Sequence, residues 1–374
     1  MKTIGVIREQ GALETRVALI PEVAQELIKL GMRVVVEKGA GSLAGFKDED
    51  YERINATVVS KRAQVIGISD ALLSIDASML ANETIGEKTL IGLFDPYRKT
   101  KEICLLKEQG ATILALELMP RISRAQSMDV LSSQANLSGY VAVMLAATKM
   151  NKVMPLLMTA AGTIKPAQVL VLGAGVAGLQ AIATARRMGA VVYAYDVRAV
   201  VKEQVESLGA KFVNMNLSLN GEGSGGYAKA LSPEAVKEQR AQLTSFAKDM
   251  DVIITTAQIP GQSAPRLLDD AIFTSLKEGS VIIDMAAASG GNVAHSRANA
   301  WHKEEKAFIY GAEELARQVP KDASFAFSKN VKSLLMLMNE KEQLDLEDEI
   351  LKEVVVSCKN QWQNQSYFKK INKI

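Results

Sequence analysis

Gln168-Val-Leu-Val-Leu-Gly-Ala-Gly-Val-Ala-Gly178 is the stretch that decides the fold. Its apolar start reads as a buried strand, and its glycines fall at the spacing G-x-G-x-x-G. An Ala-rich helix follows to Met188, Gly189 ends that helix, 190–195 reads as a second strand, and Asp196 stands at its tip. The bare glycine spacing is a weak signal; a strand before it, a helix opening inside it, a second strand and a terminal acid make it specific. Gly173 permits a tight turn, Gly175 lets a pyrophosphate approach the backbone, and Gly178 lets the helix pack closely on the sheet. The helix N-terminus near Val176 and Ala177 offers N–H groups and the positive dipole end to phosphates. Asp196 is placed to accept from adenine-ribose hydroxyls and to repel a 2′-phosphate, which favours NAD(H) over NADP(H). Arg198 works against that preference. The plainer alternatives are a glycine-rich turn with no ligand and an ordinary strand-end aspartate.

At 374 residues the chain is too long for one ordinary core, so two domains are expected. A composition 48% hydrophobic and 23% charged excludes wholesale disorder. Forty-four basic against 42 acidic residues give a net charge of +2, with no basic stripe to hold nucleic acid. Cys104 and Cys358 cannot build a disulfide framework, so a reducing cytosol is the default, and Cys104 is expected to be a buried inert thiol. His295 and His302 lie in a polar stretch without nearby Cys ligands; they are expected at the surface, and no metal site is expected. The N-terminal apolar run is broken by Arg8 and Glu9. The run 141–158 is interrupted by Lys149, Asn151 and Lys152, short of the roughly 20 apolar residues that a span requires. A soluble chain that can dock on a membrane partner is expected.

The first third alternates strands at 3–7, 33–37, 56–60, 71–75, 89–94 and 111–118 with helices at 21–30 and 99–109. Such alternation argues for βαβ units and parallel sheets. Pro120 breaks the pattern, the polar stretch 121–129 has no clean period, and 137–150 reads as a long helix leading into a second unit. That unit continues through strands at 252–256 and 280–285. The Gly-, Asn- and Ser-rich stretch 214–226 reads as a long functional loop. Leu334-Leu335-Met336-Leu337-Met338 suggests a helix returning to the first domain, and 359–374 reads as a frayed polar tail. The expected architecture is α/β: two Rossmann-like domains, parallel sheets flanked by helices, a cleft between them. The first is discontinuous, 1–135 with 325–374; the second, 136–324, carries the glycine motif.

Three stretches together resemble one family: Met119-Pro-Arg-Ile-Ser-Arg-Ala-Gln-Ser-Met-Asp-Val-Leu-Ser-Ser-Gln-Ala-Asn136, the glycine motif, and the run from Asp196-Val-Arg through Lys202-Glu-Gln-Val-Glu-Ser-Leu-Gly209. The sequence is similar to the soluble NAD(H)-binding domain of proton-translocating nicotinamide nucleotide transhydrogenase, which shares its fold with alanine dehydrogenase. The resemblance implies an enzyme component that binds NADH and passes hydride to NADP+ held by a separate subunit (Re/Si-specific), active only with its partners. It implies a homodimer and two partners, an NADP(H)-binding beta subunit and the membrane-spanning second polypeptide of a split alpha subunit. It places the chain in the cytoplasm, peripheral on the inner face of the membrane. Arg121, Gln126, Asp129 and Ser132 match the loop lying against the nicotinamide ring. Two C4 atoms exchanging hydride need no general acid or base, only rings held close with water excluded, so positioning groups are the catalytic ones. Matched nucleotide contacts are Gly173, Gly175, Val176, Ala177, Gly178, the Asp196-Val197-Arg198 run, Gly226, Gln239 and Gln258, with Tyr227 closing a mobile loop. Gln258 departs from the apolar residue expected there and is assigned a backbone contact.

Alanine dehydrogenase itself carries a lysine after the strand matching 71–75 and a histidine after that matching 89–94. Here those places read Ser74-Ile75-Asp76-Ala77 and Phe94-Asp95-Pro96. An aspartate expected before the later Gly-Gly is also missing, because Ala286-Ala287-Ala288-Ser289 precedes Gly290-Gly291. Arg16 matches a carboxylate-binding arginine, but without proton-transfer partners a structural ion pair is its expected role. The competing readings are a soluble alanine-dehydrogenase-like oxidoreductase and a non-catalytic NAD(H)-binding module.

Overall fold

The first strands are β1 (Thr3–Val6), β2 (Arg33–Glu37), β3 (Thr57–Val59), β4 (Ala71–Asp76), β5 (Thr89–Leu93) and β6 (Thr112–Ala115). A hairpin of β7 (Leu157–Thr159) and β8 (Gly162–Ile164) precedes β9 (Gln168–Leu172), β10 (Val191–Tyr195), β11 (Lys211–Phe212), β12 (Val252–Thr255), β13 (Ser280–Asp284), β14 (Trp301–Glu304) and β15 (Ala307–Gly311). β16 (Val355–Cys358) and β17 (Gln361–Trp362) come last. This computed structural model describes residues 2–11, 13–215, 233–258, 262–341 and 343–371. Among them the chain divides into two units: one runs to Gln134 and resumes at Arg317, the other is Ala135–Ala316.

In the first unit the sheet order is β17-β16-β6-β5-β4-β1-β2-β3, with β1 to β6 parallel. In the second it is β11-β10-β9-β12-β13-β15-β14, parallel except for β14. Renumbered within each unit, both contain the doubly wound order 3-2-1-4-5, which reverses direction between β1 and β4 and between β9 and β12. The strands read as unbroken apolar runs because both sheet faces are covered. In the first unit Ile4, Val34, Leu73 and Leu114 enter one core while the alternate residues Val35, Leu72, Leu90 and Ile113 enter another.

Helix α1 (Pro21–Lys29) starts on its proline, buries Val23, Ala24 and Leu27, and ends before Gly31, whose φ of 87° only glycine adopts freely. Helix α2 (Val130–Lys149) begins seven residues ahead of the expected 137, because Asp129 caps it: its carboxylate accepts the Ser132 N–H (2.9 Å) and hydroxyl (2.6 Å). Among the described residues α2 is the helix long and apolar enough, by length and composition, to cross a bilayer. Its polar side chains are tied to protein partners instead. Ser133 donates to Asn330, Gln134 donates to the Ala323 carbonyl, and Ser138 accepts from the Ala316 N–H. Helix α3 (Val176–Arg187) packs on β9 and β10, and α4 (Pro233–Ala247) follows later.

The chain rejoins the first unit at Arg317, whose guanidinium lies 3.0 Å from Glu14. The Val17 and Ile20 N–H groups donate to the Ser324 and Ser328 hydroxyls, both at 2.9 Å. Helix α5 (Pro320–Met338) then buries Phe327, Val331, Leu334 and Leu335, the helical spacing that the leucine-rich run suggested. The C-terminal tail differs from its expected frayed state. It forms β16, β17 and α6 (Gln365–Ile371), and Tyr367 is buried with its hydroxyl on the Pro96 carbonyl at 2.9 Å. Trp362, Tyr367 and Phe368 form a ring cluster that pins an otherwise polar segment. Two further expectations are corrected. The His302 side chain is buried, not at the surface, and desolvation holds its pKa below the usual imidazole value. Cys104 is only half-buried.

Candidate functional site

The glycine turn sits where the strand order of the second unit reverses, at the carboxyl end of β9. There Gly173 has φ 101°, and its N–H donates to the Tyr195 carbonyl at the end of β10. The Thr256 hydroxyl, just past β12, donates to the Gly173 carbonyl at 2.9 Å. A Cβ at Gly178 would lie 1.8 Å from that carbonyl, so the turn and α3 can only meet through a glycine. Gly175 behaves differently. It caps α3 with ordinary extended dihedrals, and a Cβ there would meet nothing within 4 Å. The fold does not require glycine at 175; an occupant of that open space would.

Val176 is exposed beside the turn, and the α3 N-terminus aims its N–H groups into the same space. Gly139 of α2 closes the other side, since a Cβ there would sit 2.2 Å from the Ala177 carbonyl. Asp196 reaches back to the turn: its Oδ2 accepts the Ala174 N–H at 2.7 Å. The same carboxylate pairs with Arg198, Oδ1 with the backbone N–H and Nε at 2.9 Å each, Oδ2 with Nη2 at 2.8 Å. Val197 packs on the core beneath. Gln239 in α4 is buried and donates to the Tyr195 hydroxyl at 2.9 Å, which places it behind β10. Gln258 is exposed, and its Nε2 donates to the Met285 carbonyl at 2.7 Å. Gly226 and Tyr227, with most of the expected 214–226 loop, lie outside the described residues. A surface cavity of about 450 Å³ lined by Tyr193, Phe246 and Met215 touches Gln168, the other end of β9, and is no part of this site.

Sequence reasoning did not pick out Gly139, Thr256 or Asn292. The Asn292 amide, fully buried, accepts the Ala257 N–H and donates to the Ala257 and Pro265 carbonyls, fixing the backbone beyond β12. A conspicuous Thr-Thr pair at the end of β12 was the available signal for Thr256; nothing local marks the other two.

In the first unit, Arg121 and Gln126 are exposed on the segment 120–128, which ends in a 3₁₀ turn, Ser123–Met128. That backbone is anchored. Ala125 and Met128 are buried, Asn330 donates to the Ser127 carbonyl at 2.8 Å, and Arg124 pairs with Asp348 at 2.6 Å and Glu349 at 3.1 Å. Asp129 and Ser132 are joined in the α2 cap already described. The structure therefore presents two polar side chains from a fixed loop and engages the other two in holding it.

The matching switch point in the first unit is filled by its own chain. Glu9, just past β1, accepts the Ser74 hydroxyl (3.0 Å) and the Ile75 (2.6 Å) and Asp76 (3.2 Å) N–H groups. Glu117, just past β6, accepts the Phe94 and Asp95 N–H groups, both at 2.7 Å, and its Oε2 is buried without a hydrogen-bond partner. These are the strand ends where alanine dehydrogenase would carry its lysine and histidine. Arg16 is buried against Glu14 (2.8 Å) and Gln134 (2.8 Å), so its charge is already matched.

Burial pushes the Glu9 and Glu117 carboxyls up to about 7 against the pull of their N–H donors. For such a group the folded state holds a proton that the unfolded state has released, so its contribution is complete below pH 4.5 and lost as pH rises towards 7. Glu117→Gln keeps an acceptor and cannot ionise. Its stability relative to the native chain is expected to improve by about 1–3 kcal/mol between about pH 5 and about pH 8, read by urea denaturation. A pH-independent difference would show that Glu117 titrates normally.

The fold and the site define a dinucleotide-binding α/β protein, and comparison with known proteins gives its family. Residues 5–138 match the family described as Alanine dehydrogenase/PNT, N-terminal domain, and residues 142–365 match Alanine dehydrogenase/PNT, C-terminal domain. The chain belongs to this alanine dehydrogenase/PNT family. It is 40% identical over 360 residues to the first part of the NAD(P) transhydrogenase alpha subunit of Rickettsia prowazekii, covering 95% of this chain and 94% of that one. A solved transhydrogenase from Sinorhizobium meliloti superimposes with a TM-score of 0.86 at 38% identity, covering 96% of this chain and all of that one. Alanine dehydrogenase of Mycobacterium tuberculosis is more distant, 25% identical over 334 residues, 87% of this chain and 84% of that one.

Proposed function

We propose that this chain is the NAD(H)-binding component of a proton-translocating transhydrogenase, holding NADH while its hydride passes directly to NADP+ on a partner subunit. The observation that carries the reading is Gly175: the structure leaves open space at a glycine that its own packing does not need, beside a helix N-terminus. The pyrophosphate would lie over Gly173, Gly175, Val176, Ala177 and Gly178, and the adenosine end near Asp196, Val197 and Arg198, with Gln239 and Gln258 further along. Gly226 and Tyr227 would come from the covering loop. Arg121, Gln126, Asp129 and Ser132 would steady the nicotinamide. Bound NADH supplies the hydride; these residues hold the ring, exclude water and move no proton.

The capped ends of β4 and β5 support a hydride-only role, because neither presents a lysine or histidine. The names of the relatives support partners: an NADP(H)-binding beta subunit and the membrane-spanning second polypeptide of the alpha subunit, with this chain peripheral on the inner face of the membrane. A homodimer is supported by the hairpin and its approach, where Leu156, Leu157, Met158 and Ile164 are all exposed, Met158 at 82%. Met158→Asp is expected to weaken self-association by about tenfold or more, measured by sedimentation, since a buried charge replaces an apolar contact.

The test is reconstitution. The isolated chain should bind NADH yet leave it unoxidised, and NADP+ reduction should begin when the NADP(H)-binding subunit is added. NADH oxidation by the isolated chain with pyruvate and ammonium would instead establish the alanine-dehydrogenase reading. Binding without transfer to any partner would leave a non-catalytic module.

A further inference from the structure

The hydrogen bonds around Asp196 leave no room for a ribose. A carboxylate offers about four acceptor positions. Two are taken by fixed backbone donors, the N–H groups of Ala174 (2.7 Å) and Arg198 (2.9 Å). The other two are taken by the Arg198 guanidinium, through Nε (2.9 Å) and Nη2 (2.8 Å). The pair is largely buried, with side-chain exposures of 18% for Arg198 and 6% for Asp196. A ribose diol brings two O–H donors that need the positions the guanidinium holds.

We propose that Arg198 is a latch on the dinucleotide site: its guanidinium masks Asp196, must swing away before the adenine ribose can bind, and thereby sets the discrimination between NADH and NADPH. This rests on the dinucleotide reading proposed above. The latched pair is neutral and presents a guanidinium edge that suits a 2′-phosphate. The unlatched carboxylate is a lone anion that suits a 2′-hydroxyl and repels a phosphate. Apparent NADH affinity is lowered by the fraction of molecules latched, and removing the fork lifts that penalty.

The experiment titrates NADH and NADPH into the full chain by nucleotide fluorescence, for the native protein, Arg198→Met and Arg198→Lys. Met keeps the aliphatic stem and removes the fork; Lys keeps the charge but cannot bond in two places. Arg198→Met is expected to bind NADH about tenfold more tightly and NADPH more weakly. Arg198→Lys should fall between and retain NADPH binding. Added salt should strengthen NADH binding by the native chain relative to Arg198→Met, because it loosens the ion pair. Equal or weaker NADH binding by both variants overturns the latch while leaving the dinucleotide site intact. Failure of native chain and variants alike to bind NADH overturns the latch together with the site it guards. Should Arg198→Met not fold, the Lys variant and the salt series decide the matter in the same way.

Discussion

Gly175→Val is expected to fold as the native chain does and to lose NADH binding by about 100-fold or more. The backbone at 175, φ −79° and ψ −166°, is extended and open to any residue, and the valine side chain starts in open space. Its methyl groups would occupy the volume where the pyrophosphate meets the turn and the α3 N–H groups. Charge-assisted hydrogen bonds are worth about 1.5–3 kcal/mol each, so losing two is enough for that effect. The neighbouring glycines are expected to behave differently. Gly178→Ala forces a Cβ to 1.8 Å from the Gly173 carbonyl, and Gly173 itself is held at φ 101°, so changes there should lower the melting temperature. Calorimetric titration with thermal melting on the same samples separates the two outcomes. Native-like NADH affinity in Gly175→Val would place the nucleotide elsewhere.

Arg121→Ala is expected to slow hydride transfer to the NADP(H)-binding partner by about 100-fold while changing NADH affinity only a few-fold. Misplacing a reacting group by about 1 Å costs that much, and most of the binding energy would come from the phosphates and adenosine. The loop bearing Arg121 is held by Asn330, Arg124 and the buried Ala125 and Met128, so removal of the exposed side chain leaves its backbone in place. Asp129→Ala would be a poorer probe, because it also removes the α2 cap. Stopped-flow single turnovers give the rate, and fluorescence titration gives the affinity. An equal loss in both would mean that Arg121 serves binding alone.

The strands and the glycine turn were legible because their constraints are local. Parallel strands covered on both faces must be continuously apolar, and a tight turn under a helix must be glycine, so 168–178 carries its own explanation. The resemblance marked the Arg121–Ser132 segment, which composition alone would assign to a solvated crossover. What stayed hidden depends on partners distant in sequence or on side-chain choice. Gly139 matters only because α2 meets the Ala177 carbonyl. The acid at 196 was visible, but its occupation by Arg198 was not, since a two-residue separation does not say where a guanidinium points. Glu9 and Glu117 look like surface acids until the sheet order brings each onto the N–H groups of a neighbouring strand end. The tail read as frayed because its polar residues outnumber Trp362, Tyr367 and Phe368, although those three rings hold it.

Both units share one strand order, yet their switch points are in opposite states: one is closed by Glu9, the other is open above Gly175. In the proposed function the second unit therefore takes the nucleotide, and the first supplies the residues that steady its reactive ring.

The most direct measurement follows the hydride itself. NADH deuterated at the transferable C4 position is mixed with this chain and the NADP+-loaded partner subunit, and the NADPH formed is weighed by mass spectrometry. Near-complete retention of the deuterium in NADPH is the expected result. NADPH that carries hydrogen from solvent would contradict direct transfer from a nucleotide held on this chain.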